Sequence, residues 1–465
     1  MINSFSNKKI HFIGIGGISL SALAKLMMHY GAKVSGSDAV DSERLDELRA
    51  KGAKIWVGSR PNQINADFVV FTSAISPADL ELCFARSVGI PTYERHEFLG
   101  TVANGFKTVI AVSGTHGKTT TTGMLTAIFY QAKKLFTSHI GGDVLGFSNL
   151  VTCGDEYFIT EACEFRRSFL SLYPDIAVVL NIESDHPDCF HNEMELFYAF
   201  EKFTENVKDG GCVVIKSGFE DICKNEHIIT FSNENSIMEK CTYSAVRRGS
   251  ENFAVNSFEV YENNQILCEI NLQLLGEHNV SNALAAFAVA RKCGIEIEDI
   301  KTALENFKGV KRRFEVMGNI KGAEIIFDYA HHPSEIRASI SVARRQYRKL
   351  AVVFQPHTYS RTLSLLPAFL NCFSSADLLA ILPTYAAREV ESDGMSAEAL
   401  FVNLLQGHDK NAVTSRYNLL DGLEDGARFI MKTAEDYDCI LVLGAGDVID
   451  IAQMLKYDIP LLHNN

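Results

Sequence analysis

Short runs of apolar, β-branched residues alternate with longer amphipathic stretches along most of the chain. Each run has the length of a buried strand, and each amphipathic stretch has the periodicity of a covering helix. This alternation is typical of parallel sheets covered by helices, so we predict the α/β fold class. The predicted strands span residues 9–13, 33–37, 68–72, 108–112, 157–160, 176–180, 212–215, 324–328, 350–354, 378–382 and 439–443, and the predicted helices span 19–30, 121–130 and 280–293.

Two breaks in this pattern divide the chain into three α/β units. A turn-forming segment at residues 102–106 precedes a new strand, and residues 308–310 interrupt the pattern again. We therefore predict an N-terminal Rossmann-like domain at 1–106, a central domain at 107–310 and a C-terminal Rossmann-like domain at 311–465. The length of 465 residues agrees with three domains of about 150 residues each.

Composition and charge exclude several classes of partner. The net charge of −13 opposes binding to a nucleic-acid backbone, so we expect no nucleic-acid partner. No apolar run reaches the ~18–20 residues of a membrane span, and the first residues are polar, unlike a signal peptide. The eleven cysteines lack the spacing of a zinc knuckle or redox pair, which fits free thiols in a reducing cytoplasm.

A first glycine-rich turn lies between the strand at 9–13 and the following helix. Gly14, Gly16 and Gly17 would let a diphosphate approach the loop amides, and the helix N-terminus would stabilise the anion. Ser19 replaces the third glycine of the dinucleotide fingerprint, and Asp38 closes the next strand near a ribose or base. A tight structural turn and a nicotinamide cofactor remain open as alternatives.

A second glycine-rich turn joins the strand at 108–112 to the helix at 121–130. Val112 stands where the generic phosphate loop has glycine, so this is a shortened relative of that loop. Its amides can hold phosphate oxygens, Lys118 can reach the β- and γ-phosphates, and the Thr119 hydroxyl can bind Mg²⁺. The loop predicts an ATP site in a central P-loop-type ATPase domain, formed by Gly114, Thr115, His116, Gly117, Lys118, Thr119 and Thr120.

Candidate ligands for a hard metal ion follow the next two strands. Glu161 and Glu164 lie at the end of the strand at 157–160, and His186 follows the strand at 176–180. Strand carboxyl ends share one edge of a parallel sheet with the phosphate loop, so Glu161 and His186 should lie near Lys118. We expect Mg²⁺ there, bridging the phosphates.

A further polar set lies around the second boundary and in the third unit. Arginines in this set can form forks for phosphate or carboxylate groups. His331 and His332, taken alone, are typical of a structural or capping pair. Tyr385 and Arg388 follow another strand and are candidates for a pocket wall. The main candidates are Asn279, Arg312, Asp328, Tyr329, His357 and Arg361.

These motifs together resemble the Mur ligases of bacterial peptidoglycan synthesis. The Gly-Thr-His-Gly-Lys-Thr loop is widespread in that family. The combination of Gly-Ile-Gly-Gly, Asp-Tyr-Ala-His-His-Pro and Gln-Pro-His-x-Tyr-Ser-Arg-Thr is specific for the members that add alanine. The matching motifs run from about residue 11 to residue 446, at positions 14–17, 36–38, 72–75, 114–120, 161–164, 181–188, 278–279, 312–314, 328–333 and 355–362.

The resemblance implies an ATP-dependent ligase that joins L-alanine to the carboxylate of UDP-N-acetylmuramate. The reaction would pass through an acyl phosphate, require Mg²⁺ and release ADP and phosphate. The protein would be a monomer or a weak homodimer without a membrane partner. A murein-peptide recycling ligase or another Mur ligase is the nearest alternative, and an NAD-dependent oxidoreductase is a remote one.

The resemblance also implies roles for individual residues. Gly14, Gly16 and Gly17 would receive the UDP diphosphate, with Asp38 and Ser73 near the uridine. Thr119, Glu161 and His186 would hold metal, Asn279 would contact adenine, and Arg312 and Asp328 would reach the nucleotide. Tyr329, His357 and Arg361 would form the amino-acid site, and the catalytic set would be Lys118, His186, His357 and Arg361. Cys163, Phe165 and Arg166 depart from the Asp, Ser and Asp found in many relatives.

Overall fold

The computed structural model describes residues 5–185, 189–190, 192–234, 241–247, 255–387, 389–391, 394–406 and 416–455. Its strands form three sheets, which follow one another along the chain. Helices cover the sheets, as the alternating pattern of the sequence predicts.

The first sheet is parallel throughout and has the strand order β3-β2-β1-β4-β5. The order reverses direction at β1, so the turn after β1 opens at the point where a doubly wound sheet binds ligands. The elements are β1 (Lys9–Ile13), α1 (Ile18–His29), β2 (Lys33–Asp38), α2 (Glu43–Ala50), β3 (Lys54–Val57), β4 (Phe68–Phe71), α3 (Leu80–Ser87), β5 (Thr92–Glu94) and α4 (Arg95–Ala103).

The second sheet has ten strands in the order β15-β14-β13-β12-β11-β10-β6-β9-β7-β8. Its middle is parallel, but β13–β15 pair antiparallel at one edge and β8 pairs antiparallel at the other, an extension that the sequence pattern did not predict. The elements are β6 (Thr108–Ser113), α5 (Lys118–Gln131), β7 (Phe136–His139), β8 (Leu150–Thr152), β9 (Tyr157–Glu161), β10 (Ile176–Val179), α6 (Glu193–Glu205), β11 (Cys212–Lys216), β12 (Ile228–Ser232), β13 (Tyr243–Arg247), β14 (Asn256–Glu262), β15 (Gln265–Leu272), α7 (Glu277–Lys292) and α8 (Ile297–Glu305).

The third sheet has the order β16-β17-β21-β18-β19-β20, and only β16 is antiparallel to its neighbour. The carboxyl ends of β17 and β18 carry the predicted site residues of this unit. The elements are β16 (Glu315–Ile320), β17 (Ala323–Asp328), α9 (Pro333–Gln346), β18 (Leu350–Phe354), α10 (Tyr359–Ser364), α11 (Leu366–Cys372), β19 (Leu378–Ile381), α12 (Ala397–Gln406), β20 (Tyr417–Leu419), α13 (Leu423–Thr433), β21 (Cys439–Leu443) and α14 (Asp450–Leu455).

The first and second sheets share one continuous hydrophobic core. Side chains of β1, α1 and α4 pack in the same cluster as side chains of β6, β9 and α6. Phe169, from a 3₁₀ segment between the two sheets, stacks on Phe203 with ring centroids 4.9 Å apart. The core therefore joins the first two units into one packed body.

The third sheet has cores of its own, one on each face. Its contacts with the central unit that bear on the site are polar: Arg361 pairs with Asp185, and His116 with Glu335. Domains that meet through polar contacts can move relative to one another more readily than domains that share a core.

Two further observations concern the described part of the chain as a whole. Within it, no helix combines the length and the apolar character needed to cross a membrane. All eleven cysteines lie in this part, and none is joined to another.

The shared core gives a stability prediction. Phe169 is 1% exposed, so Phe169→Ala should lower the free energy of unfolding by about 3–5 kcal/mol through lost burial and a residual cavity. The nearby Tyr173 is 50% exposed and serves as the matched control, since Tyr173→Ala should have little effect. Urea denaturation measures both, and equal shifts of the two midpoints would contradict the assignment of Phe169 to a shared core.

Candidate active site

The phosphate loop connects β6 to α5, and its glycines are required by its backbone. Gly114 and Gly117 have φ values of +135° and +86°, a region that favours glycine. A Cβ atom on Gly117 would also lie 2.4 Å from Asn282 Oδ1 of α7. The helix begins at Lys118, three residues before the predicted start, so its first amides face the loop and can bind an anion.

Lys118 lies at the centre of a buried polar cluster. Its Nζ donates to Glu164 Oε2 at 2.8 Å and to the backbone oxygens of Gly114 at 2.5 Å and Thr115 at 3.1 Å. Burial opposes its positive charge, but Glu164, helped by Cys163 and Glu161, raises the pKa of Lys118 above its usual range. Lys118 is therefore charged and already positioned beside the loop that would receive phosphates.

Glu161 and Thr119 bring hard oxygen donors together beside Lys118. The Thr119 side chain hydrogen-bonds Glu161, and Glu161 Oε1 accepts the Gly141 amide at 2.6 Å. Burial raises the pKa of Glu161, so a nearby cation would favour its ionised form. Carboxylate and hydroxyl oxygens suit Mg²⁺, which makes these two residues a fitting donor set. His186 and Arg388, which the sequence also nominates, lie outside the described residues.

The first glycine turn is organised around Asp38. Asp38 Oδ2 accepts the Gly16 amide at 2.8 Å, which ties the end of β2 to the turn after β1. Gly14 has a φ of +80°, and a Cβ atom there would meet Thr72 Cγ2 at 2.7 Å. Ser73 lies beside this turn at the end of β4, and its backbone oxygen accepts from Arg166 at 3.3 Å. The structure thus places Asp38 and Ser73 around one opening of the first sheet.

A cavity of about 720 Å³ lies between the central and C-terminal units. Gly117 and Asn279 line it from the central unit, while Arg313 and Asp328 line it from the other side. Asn279 Nδ2 donates to the Leu275 backbone oxygen at 2.7 Å, and Asn279 Oδ1 accepts from Asn282 Nδ2 at 3.3 Å. This cavity joins the phosphate loop to the predicted adenine contact.

A second cavity of about 1120 Å³ lies where all three units meet. Arg44 from α2, Thr119 from the phosphate loop, and Arg312 and Tyr329 from the C-terminal unit line it. Arg312 therefore lines this second cavity, whereas its neighbour Arg313 lines both. The two cavities meet at Arg313, beside the phosphate loop.

Glu335 connects the C-terminal unit to the phosphate loop and was missed from the sequence. It is buried and pairs with Arg313 at 3.0 Å, with His116 at 3.2 Å and with His331 at 3.4 Å. Burial lowers the pKa of His116, but Glu335 and Glu183 outweigh it and raise that pKa to about 10. His332 caps α9, and Glu335 at the third helical position completes a capping box, a pattern that could have indicated its placement.

Arg361 and His357 form a second contact between the two units. Arg361 is buried, and its Nε donates to Asp185 Oδ1 at 2.8 Å while its Nη1 donates to His357 Nδ1 at 2.9 Å. The His357 ring stacks on Tyr385 with centroids 5.5 Å apart. The predicted amino-acid site residues are thus brought together, with Tyr329 close by through His331, whose ring lies 5.6 Å from that of His357.

Comparisons with known proteins bear on this geometry. Three family profiles match the chain in succession: "Mur ligase family, catalytic domain" over residues 9–107, "Mur ligase middle domain" over 112–290 and "Mur ligase, glutamate ligase domain" over 312–446. The chain is 38% identical to the UDP-N-acetylmuramate–L-alanine ligase of Clostridium novyi over 461 residues, covering 97% of each chain. It is 40% identical to the ligase of the same name from Clostridium acetobutylicum over 456 residues, covering 96% of this chain and 97% of that one.

A solved structure agrees with these relatives. The crystal structure of the UDP-N-acetylmuramate-alanine ligase of Thermotoga maritima superposes with a TM-score of 0.79 at 28% identity. The match covers 97% of this chain and 98% of that one, so it includes all three sheets.

Asp328 gives a prediction on pH dependence. Burial, opposed by Arg313 and Ser339, raises the pKa of Asp328 from 3.8 to about 6. Between these two pKa values the folded state keeps a proton that the unfolded state has lost. The stability of the wild-type protein therefore falls as the pH rises through this range. The isosteric Asp328→Asn variant should gain up to about 2–3 kcal/mol relative to wild type between about pH 4 and 7.

Asp377→Asn is the matched control with the opposite sign. Burial opposes ionisation of Asp377, but Arg344 and the Leu350 amide hold its pKa below the usual value. Its variant should therefore lose stability relative to wild type as the pH rises from acid. Urea midpoints across the pH range measure both variants. A difference between Asp328→Asn and wild type that does not change with pH would count against a buried carboxyl that retains its proton.

Proposed function

The chain belongs to the Mur ligase family, and we propose that it joins L-alanine to the carboxylate of UDP-N-acetylmuramate while converting ATP to ADP and phosphate. The observation that carries this proposal is the near-full-length similarity to alanine ligases, at 38% and 40% identity. The position of a phosphate loop between two cavities supports it, because the reaction needs a nucleotide and a second large substrate side by side.

The two cavities and the first glycine turn support a separate place for each substrate in this proposal. ATP binds in the cavity between Asn279 and Asp328, with its phosphates on the loop amides at the start of α5. The UDP diphosphate binds at the turn that includes Gly16, beside Asp38. The muramate carboxylate then extends into the cavity shared by all three units, where Arg44 and Arg312 lie.

The first chemical step forms an acyl phosphate. A carboxylate oxygen attacks the γ-phosphorus of ATP, the bond to the bridging oxygen breaks, and ADP leaves with that electron pair. Lys118 stabilises the charge on the transferring phosphoryl group. To do so, it gives up part of its contact with Glu164. Thr119 and Glu161 would hold Mg²⁺, which supplies charge neutralisation on the phosphate oxygens when it is bound.

The second step forms the amide. The neutral amine of L-alanine attacks the acyl carbon, and the resulting tetrahedral oxyanion collapses. The bond from the acyl carbon to the phosphate oxygen breaks, and phosphate leaves as hydrogen phosphate with the proton that the amine loses. His357 and Arg361 shape the site of the incoming amino acid, and the buried pair between Arg361 and Asp185 fixes the guanidinium. Closure of the C-terminal unit excludes water from the acyl phosphate, which would otherwise hydrolyse.

We place this activity in the cytoplasm. The eleven thiols, none joined to another, fit a reducing compartment, and both nucleotide substrates are compatible with one.

A phosphate-release assay with a panel of amino acids tests the function. Release with UDP-N-acetylmuramate should depend on L-alanine, and the product should be the alanyl amide by mass spectrometry. Release with L-alanyl peptides but not with L-alanine would instead identify a peptide-recycling ligase.

The role of Lys118 can be tested by substitution. Lys118→Ala should reduce turnover to background, because the transferring phosphoryl group would lose its buried cation. Lys107 is exposed and forms a salt bridge with Glu156, so Lys107→Ala is the control and should retain activity. Retained turnover in Lys118→Ala would overturn the assigned phosphate site.

The polar junction between the central and C-terminal units predicts closure on substrate binding. Small-angle scattering should show a smaller radius of gyration when a non-hydrolysable ATP analogue and UDP-N-acetylmuramate are both present. An unchanged radius with both ligands bound would argue against closure.

A further inference from the structure

His116, Glu183 and His332 meet at the junction of the central and C-terminal units, and they form a set of residues different from the oxygen donors Thr119 and Glu161. His116 Nε2 lies 3.5 Å from Glu183 Oε2, and His332 Nδ1 lies 4.0 Å from the same oxygen. One ligand atom from each residue lies within 4.8 Å of the other two. Two imidazoles and one carboxylate thus converge on a common point.

The other nitrogen of each histidine ring has a partner that orients it. His116 Nδ1 faces Glu335 Oε1 at 3.2 Å, and His332 Nε2 faces the backbone oxygen of Ser184 at 3.1 Å. Histidines that bind metals almost always donate their second N–H to a carboxylate or a backbone carbonyl, which fixes the ring and its tautomer. Both rings here have that arrangement, with the remaining nitrogen aimed toward Glu183.

We propose that His116 Nε2, which releases its proton to solvent on binding, His332 Nδ1 and Glu183 Oε2 form a binding site for a borderline transition-metal ion of the Zn²⁺ class. Two histidines and a glutamate are a known zinc ligand set with an open fourth position. With zinc–ligand bonds of about 2.0–2.2 Å, tetrahedral ligand atoms lie about 3.3–3.6 Å apart, so the three side chains would draw together around an ion from their observed spacing of up to 4.8 Å.

The Ser334 hydroxyl lies against the proposed site. Its Oγ is 2.8 Å from His332 Nδ1 and 3.3 Å from His116 Nε2, and it also interacts with Glu183. The Ser334 backbone N–H donates to the same His332 Nδ1 at 3.3 Å as the cap of α9, so an ion on that nitrogen would replace the cap hydrogen bond as well. A bound ion would replace these hydrogen bonds, and the hydroxyl would turn aside or take the open position. Ser334 is therefore a neighbour that the ion displaces, and the three ligands do not depend on it.

The proposed site differs in chemistry from the magnesium donors. Mg²⁺ prefers oxygen ligands such as Thr119 and Glu161, whereas imidazole nitrogens favour zinc, copper, iron or nickel. Glu183 is 41% exposed, and the cavity of about 720 Å³ opens beside it, so an ion has a route of entry. Because Mg²⁺ prefers oxygen ligands, excess Mg²⁺ should not compete for this site.

The ligands come from two units of the fold. His116 belongs to the phosphate loop and Glu183 follows β10, whereas His332 is the N-cap that precedes α9 of the C-terminal unit. A bound ion would connect the two units and restrict the phosphate loop, so it should raise the thermal midpoint of the protein.

Titration of the full-length protein with Co²⁺ tests the proposal, because tetrahedral Co²⁺ absorbs visible light and substitutes for zinc. With excess Mg²⁺ and no nucleotide, we expect one equivalent to give a tetrahedral spectrum that Zn²⁺ abolishes. A thiolate charge-transfer band in that spectrum would assign the ion to cysteine and overturn the proposal.

Matched variants identify the ligands. Glu183→Gln and His332→Gln should each weaken Co²⁺ binding by more than about tenfold, the loss seen when even outer partners of metal ligands are removed. Glu183→Gln leaves the cap of α9 in place, so its effect does not depend on helix stability. Glu226→Gln, at an exposed position, and Ser334→Ala should bind as wild type.

Unchanged binding in both ligand variants, or no binding by wild type, would show that these residues form only a hydrogen-bonded ion-pair network. The readout uses the metal alone and requires no ligase turnover. Its failure is therefore distinguishable from failure of the proposed ligase activity.

Discussion

The charged junction between the phosphate loop and α9 is the contact on which the arrangement of the site depends. Glu335 reaches from the C-terminal unit to His116 in the loop, and Arg313 neutralises it from the side. Because these groups are largely buried, each needs the others to offset the cost of leaving water. The junction therefore orients the third sheet toward the cavity of about 720 Å³, although no hydrophobic cluster of the described residues spans the two units.

The two interfaces of the central unit differ in kind, and this difference suits a ligase. The N-terminal unit shares a continuous apolar core with the central unit, so the two glycine-rich turns keep a fixed relation. The C-terminal unit has separate cores and contributes polar side chains such as Arg361. Such an interface can open to admit substrates and then close around the reactive intermediate.

Local charge explains how a protein with a net charge of −13 binds two phosphorylated substrates. Lys118 is buried beside the loop amides, and Arg44, Arg312 and Arg313 line the cavities on either side. In a site of low dielectric these few cations act at short range, whereas the acidic surface is screened by salt. The total charge thus limits the class of partner without weakening the site.

The sequence by itself determined the strand–turn–helix units and the residues that end each strand, because apolar periodicity and glycine turns are local signals. It predicted Glu161 and Asp328 at the ends of strands, where the structure has them, and it placed Lys118 in a turn before a helix that in the structure begins at Lys118 itself. Only the tertiary structure decided that Glu164 pairs with Lys118, that Arg312 lines one cavity whereas Arg313 lines both, and that antiparallel strands extend the central sheet. The pairing of His116 with Glu335 joins residues far apart in the chain, and a contact between distant residues leaves no local periodicity to read.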